Sequence, residues 1–325
     1  MPDHVHMSCL KALGRKPVSV GFVGHHRKWN PVWNNHTQAA SQYDPLLVSV
    51  PDKSEHLPIV PDFLHYSDYG RPAQDPRYDR CVKIYSTQEC FQAPWGECDY
   101  ALTGDYSDDP RHLRYPVYTA EMFASRDVPP LHHPCLTLVK DPATDWDDVL
   151  EHKTQFCNFV YSNGSWRDPR SRGECGLEHR VRFFELLCKY KHVAAGGSLC
   201  LNLGKQVQDK LPFLQDFKFT IAFENTSYPG YVTEKLCDPM FAMSVPIYWG
   251  SPDVANDFNP KSMVVATGRR LEDVVDEVAA LDQDDTAYLA KLREPWFKNN
   301  VPNKYCSQER LGTFLSEIYT KGHKP

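Results

Sequence analysis

A chain of 325 residues is too long for one ordinary hydrophobic core and suits two domains. Its 41% hydrophobic and 24% charged residues are ordinary for a globular protein. The net charge of −6 gives no bulk electrostatic case for nucleic acid or an anionic membrane, although local basic spots can still hold a phosphorylated small molecule.

The opening stretch "MPDHVHMSCLKALGRKPVSV" has no apolar run long enough for a signal peptide, and no segment approaches a transmembrane span. The default expectation is therefore a cytoplasmic protein. A first strand is predicted at "PVSVGFVG", 17–24, followed by aromatic, polar and Pro-bearing loops up to about 80. Two more strands are predicted at "VKIYST" and "DYALTG", so the first half reads as an irregular α/β layer. "LHHPC" brings His132, His133 and Cys135 together, but no partner cluster and no C-x-x-C spacing exists among the 11 cysteines. A surface loop and reduced cysteines are expected there. The polar stretch at 145–155 is the expected boundary, giving one domain at 1–150 and a second at 151–325. Its "DWD", Asp145 to Asp147, reads as solvated charge.

The second half is more regular. "FCNFVYSN" is a buried strand, and "GLEHRVRFFELLCKYK" is a helix with Leu177, Val181, Phe184 and Cys188 on its apolar spacing. "HVAAGG" and "FKFTIAFEN" are strands, a helix is expected from about Tyr231, and "SVPIYWG" is the next strand. Alternating strands and helices imply a parallel sheet with right-handed crossovers. "RRLEDVVDEVAAL" and "RLGTFLSEIY" supply closing helices.

Ligands of such a sheet bind beyond the carboxyl ends of its strands. "FENTSYPGYVTEKL" follows one strand and opens a helix, whose N-terminus attracts anions. Lys235 adds a positive charge, and Glu234 can accept hydrogen bonds from vicinal hydroxyls. Phosphate plus hydroxyls suggests a nucleotide or nucleotide-sugar. Arg180 and Arg182 begin the earlier helix and match phosphate oxygens. Taken alone, both clusters also fit a solvated, capped helix start with surface arginines. No G-x-G-x-x-G, G-x-x-x-x-G-K-[ST] or G-x-S-x-G motif occurs, which disfavours nicotinamide, P-loop and serine-hydrolase chemistry.

The run "KFTIAFENTSYPGYVTEKLCDPMFAMSVPIYWGSPDVANDFNPKSMV" closely resembles the signature of the α-1,3-fucosyltransferases, glycosyltransferase family ten, and of its bacterial-type members in particular. "FCNFVYSN", "RVRFF", "KYKHVAAGGS" and "AYLAKL" fit the same family in the same order, and the resemblance is weak before residue 80. It implies the GT-B architecture, an α/β fold of two Rossmann-like domains facing a cleft. It further implies an enzyme that moves L-fucose from GDP-fucose to O3 of N-acetylglucosamine in a lactosamine-type glycan, with inversion.

By the same resemblance Arg180 and Lys235 bind the diphosphate, while Asn225, Tyr231 and Glu234 contact phosphate, ribose or fucose. The catalytic base maps to Glu89 in "YSTQE", where Gln88 replaces a glycine common in bacterial members. Glu97, Asp99 and Asp105 are rival bases. Pro239 falls inside the donor helix, where it is expected to kink it. No metal or cofactor is required on this reading, and a divalent cation is at most stimulatory. The partners are GDP-fucose and an oligosaccharide or glycoconjugate acceptor, with no nucleic acid and at most peripheral contact with an inner membrane. A trimmed eukaryotic relative would instead work in the Golgi lumen. Trp29, Trp33 and Trp95 suit packing or stacking on acceptor sugars. The alternatives are another GDP-sugar or acceptor hydroxyl on the same fold, or a non-catalytic glycan-binding homologue.

Overall fold

The computed structural model describes residues 18–23, 45–49, 60–68, 72–119, 137–164 and 170–321. Trp29, Trp33, His132, His133 and Cys135 lie outside these residues. The chain forms two compact units, one of Met1–Tyr115 with Ser307–Pro325 and one of Pro116–Cys306.

The first unit carries β1 (Val18–Val23), β2 (Pro45–Ser49), β3 (Phe63–Tyr66), β4 (Val82–Ser86), β5 (Tyr100–Thr103) and β6 (His112–Arg114). They pair in parallel in the order β2-β1-β3-β4-β5-β6. The sequence anticipated β1, β4 and β5. The others turn the expected irregular layer into a regular doubly wound sheet. Leu64, Ile84 and Ala101 are fully buried, as in a parallel sheet covered on both faces. The C-terminal helix Gln308–Lys321 supplies part of that cover. Its Tyr319 packs edge-on against Phe63 at 4.8 Å, and its hydroxyl lies 2.9 Å from His65 Nε2.

The second unit runs through α1 (Trp146–His152), β7 (Gln155–Phe159), β8 (Glu174–Cys175), α2 (Leu177–Tyr190), β9 (Val193–Ala195) and α3 (Lys210–Leu214). It continues with β10 (Phe217–Phe223), β11 (Thr226–Ser227), α4 (Glu234–Phe241), β12 (Val245–Trp249), β13 (Val264–Val265), α5 (Leu271–Gln283) and α6 (Asp285–Arg293). The main sheet is parallel, in the order β13-β12-β10-β7-β9. β10, "FKFTIAF", is its centre, and every residue but Lys218 is buried. Its one buried polar side chain, Thr220, is bonded by Asn158 Nδ2 at 2.8 Å and lies 2.8 Å from Ser244 Oγ.

Three expectations are corrected. The boundary falls between Tyr115 and Pro116, not near 150, and the C-terminal helix returns to the first unit. The "linker" residues belong to the second core: Asp145 caps α1 through Asp147 N at 3.1 Å and Asp148 N at 3.2 Å, and Val149 is fully buried. Tyr118 packs on Phe258 at 4.9 Å, and the Lys140 ammonium stands 3.5 Å from the Trp296 ring centre. The apolar face of α2 is also turned by about one residue, because Arg180, Phe183 and Leu187 are its buried positions and Cys188 is exposed. Burying Arg180 against the end of β10 sets that rotation. Among the described residues no helix is long and apolar enough to cross a membrane.

Candidate active site

Both sheets share a winding. Each starts with two strands going one way, then continues on the other side of the first strand. In such a sheet the connections leaving the two strands at the reversal diverge, and ligands bind at their carboxyl ends. In the second unit the reversal lies between β7 and β10. Tyr161 follows the first of these strands, and Glu224 and Asn225 follow the second.

Gly176 seats α2 against this point. A Cβ there would lie 2.2 Å from the Glu224 carbonyl oxygen and 2.8 Å from the Trp249 ring, so only glycine allows the approach. Its N–H donates to Asn225 O at 2.8 Å. Four residues on, Arg180 is 3% exposed, with its guanidinium 4.4 Å from the Tyr161 ring centre. Nε and Nη2 donate to Phe223 O at 3.2 and 3.0 Å, and Nη2 also donates to Asn225 Oδ1 at 2.7 Å. The fork is locked by backbone and amide, and no described residue accepts from its Nη1. Arg182 is different: it is exposed and donates to Glu272 on α5 at 2.8 Å. Only one of the two sequence-predicted arginines is therefore part of the site.

α4 begins at Glu234, not near Tyr231, because Thr233 is its cap and accepts from Lys235 N at 3.3 Å. Gly230, at φ +81°, makes the turn before it, and Tyr231 is buried ahead of the cap. Pro239 lies within α4, late enough that the capped first turn is intact. Lys235 Nζ stands 2.9 Å from Glu234 Oε1 and 3.9 Å from Glu224 Oε2.

Glu224 is the residue that sequence reasoning missed. Fully buried, it accepts from Thr233 N at 2.8 Å and from Thr233 Oγ1 at 2.7 Å, so it holds the start of α4. The signal available was its place, an acid directly after a buried strand and ahead of a helix cap.

The carboxyls diverge in charge behaviour. Burial pushes Glu224 up to about 6, against the pull of Lys235. Burial also opposes ionisation of Glu234, but Lys235 and Lys210 outweigh it and hold that carboxyl at about 2. Burial disfavours the Lys235 ammonium, yet Glu234 and Glu224 raise its pKa above the ordinary lysine value. A carboxyl whose pKa rises on folding binds its proton more tightly in the folded chain. Ionisation of Glu224 therefore weakens folding as pH climbs from about 4.5 to about 6. Glu224→Gln escapes this penalty. Relative to wild type it should gain on the order of 2 kcal/mol between about pH 4 and about pH 7, read from paired melting curves. A difference that stays constant with pH would contradict the assignment.

In the first unit Glu89 lies three residues past the carboxyl end of β4, half-buried, with its N–H bonded to Thr87 Oγ1 at 3.0 Å. Thr87 and Tyr85 donate to Asp68, which follows β3. Of the rival bases, Asp105 follows the carboxyl end of β5. Glu97 and Asp99 precede β5 and so lie at the opposite edge, where Asp99 accepts from Lys83 N at 2.8 Å and Glu97 from Gln74 Nε2 at 2.6 Å. Trp95 belongs to that edge too, covered by the Arg111 guanidinium at 4.6 Å.

Two doubly wound units, with charged groups gathered where the second sheet reverses, define a GT-B glycosyltransferase fold. The family description "Glycosyltransferase family 10 (fucosyltransferase) C-term" matches residues 150–310, and "Alpha-(1,3)-fucosyltransferase FucT N-terminal domain" matches 47–121. Together these cover well over half the chain, and it belongs to glycosyltransferase family 10. The Helicobacter pylori alpha-(1,3)-fucosyltransferase FucT is 33% identical over 256 residues, which are 70% of this chain and 50% of that protein. This chain thus spans about half the length of that curated relative. A crystal structure of an alpha1,3-fucosyltransferase superimposes with TM-score 0.69 at 25% identity, covering 97% of this chain and 94% of that one. An alpha1,3-fucosyltransferase with GDP gives 0.68 at 25% identity, covering 96% and 93%.

Proposed function

We propose that the protein transfers L-fucose from GDP-fucose to O3 of N-acetylglucosamine in a lactosamine-type acceptor, with inversion at the anomeric carbon. The observation that carries this reading is the pairing of Arg180 with Asn225 and of Lys235 with Glu234 at the reversal of the second sheet. Arg180 and Lys235 supply fixed positive charge for a diphosphate, Glu234 an acceptor for ribose hydroxyls, and Tyr231 is buried in the turn ahead of the Thr233 cap.

In the reaction the acceptor hydroxyl gives its proton to Glu89 as its oxygen bonds to fucose C1. The bond from C1 to the β-phosphate oxygen breaks, and GDP leaves with the charge that Arg180 and Lys235 offset. Glu89 belongs to the first unit, and Arg180 and Lys235 to the second. Arg180 and Lys235 are side chains already held in place to donate to the leaving diphosphate, so the reaction needs no ion. Incubation with GDP-fucose and a panel of lactosamine acceptors should give fucosylated product in EDTA at a rate comparable to that without it. Complete loss in EDTA, restored by one equivalent of Mg²⁺ or Mn²⁺, would contradict the ion-free part. Absence of product under every condition would contradict the whole.

A further inference from the structure

Every cation of the donor site is already engaged. Lys235 bonds Glu234, and the Arg180 fork is fastened to Phe223 O and Asn225. A third cation stands against α4. Lys210 opens α3, which packs against α4, and its Nζ lies 2.9 Å from Asp238 Oδ2. Asp238 follows Glu234 by four residues, so the two carboxylates share one face of α4. The Asp238 side chain is only 9% exposed and that of Lys210 32%, so the pair is held largely out of water. Burial opposes the Lys210 charge, but Asp238 and then Glu234 more than compensate. Burial raises the Tyr161 phenol, and Arg180, Lys210 and Lys235 each act against that rise, so all three cations are felt at one buried ring.

The cluster of Arg180, Lys210 and Lys235 with Glu224, Glu234 and Asp238 balances in formal charge. A diphosphate brings extra negative charge into it. To take a phosphate, Lys235 has to loosen its hold on Glu234, and a largely buried carboxylate left without its cation is destabilised. We propose that Lys210 is a positioning residue for donor binding, taking over Glu234 when the diphosphate draws Lys235 away. The inference rests on the donor reading above. It adds a third cation, outside the "FENTSYPGYVTEKL" segment, that sets how readily Lys235 changes partner. Asp238 competes with Glu234 for Lys210 and so works against the exchange.

Calorimetric titration of GDP into the full chain tests this, with melting temperatures measured alongside. Lys210→Met should weaken GDP about tenfold or more, and raise the KM for GDP-fucose with little change in kcat, because Glu234 then keeps Lys235. Lys210→Arg should restore most of the affinity. Asp238→Asn frees Lys210 for Glu234 and removes one negative charge, so GDP should bind about threefold more tightly at low salt. If the pair were only a strut between α3 and α4, Lys210→Met and Asp238→Asn would weaken GDP alike, in step with their melting temperatures, and that result overturns the inference. Unchanged GDP affinity in a folded Lys210→Met overturns it as well. Should Lys210→Met fail to fold, the sign of the Asp238→Asn effect decides: tighter binding supports the exchange, equal or weaker binding refutes it. A wild-type chain that does not bind GDP would instead refute the donor reading, and the inference with it.

Discussion

Glu89→Gln lowers kcat by about two to four orders of magnitude, the range expected for loss of a general base, while GDP affinity stays at the wild-type level. The amide keeps the shape of the side chain and cannot accept a proton. Its backbone position is secured separately, by Thr87 Oγ1 on the Glu89 N–H, so the loop should not move. GDP affinity is the internal control, because Arg180 and Lys235, the residues proposed to hold the diphosphate, belong to the other unit. Near-normal turnover in Glu89→Gln would refute the assignment and pass the role to Asp105, the rival that also follows the carboxyl end of a strand. Glu97 and Asp99 are excluded by their place at the opposite edge, where both already accept bonds that hold the first unit together.

Arg180→Lys and Lys235→Ala have the other large effects. Arg180 makes three charge-assisted contacts from Nε and Nη2. Lysine has one nitrogen and no fork, so Phe223 O and Asn225 Oδ1 cannot both be kept. With charged hydrogen bonds worth about 1.5–3 kcal/mol each, loss of one should lower GDP affinity about tenfold to about 150-fold, with a lower melting temperature. Lys235→Ala removes the cation between Glu234 and Glu224. Glu234 then loses the main force that holds its carboxyl at about 2. Two carboxylates face an approaching diphosphate without it, so GDP binding should fall about a hundredfold or more. Wild-type affinity in both variants would mean a solvated helix start and a merely structural arginine.

How much of this the sequence disclosed depends on burial. β10 and β12 are covered on both faces, so "FKFTIAF" and "VPIYW" are unbroken apolar runs that announce themselves. β6 is three residues, "HLR", with a buried arginine, and β3 carries a buried histidine that depends on Tyr319 far along the chain. No local pattern reveals such strands. The stretch at 145–152 looked like a linker because its acids are numerous. One of them is a helix cap, and that distinction rests on geometry. Glu234, Lys235 and Asn225 were legible as a motif. Arg180 and Arg182 were not separable by composition, since residues two apart on a helix point to different sides. Only burial tells the site residue from the surface ion pair. Glu224 and Lys210 escaped for the same reason. The first looks like an ordinary acid until its contacts with Thr233 are seen, and the second lies outside the motif, on another helix.

The central claim is a fucose transferred from GDP-fucose to O3 of N-acetylglucosamine with inversion. Its most direct test is NMR of the product formed from GDP-fucose and N-acetyllactosamine. One new α-linked fucose is expected, from the β-linked donor, with its anomeric carbon on O3 of N-acetylglucosamine. A β-linked fucose, attachment to a galactose hydroxyl, or recovery of unmodified acceptor beside intact GDP-fucose would contradict it.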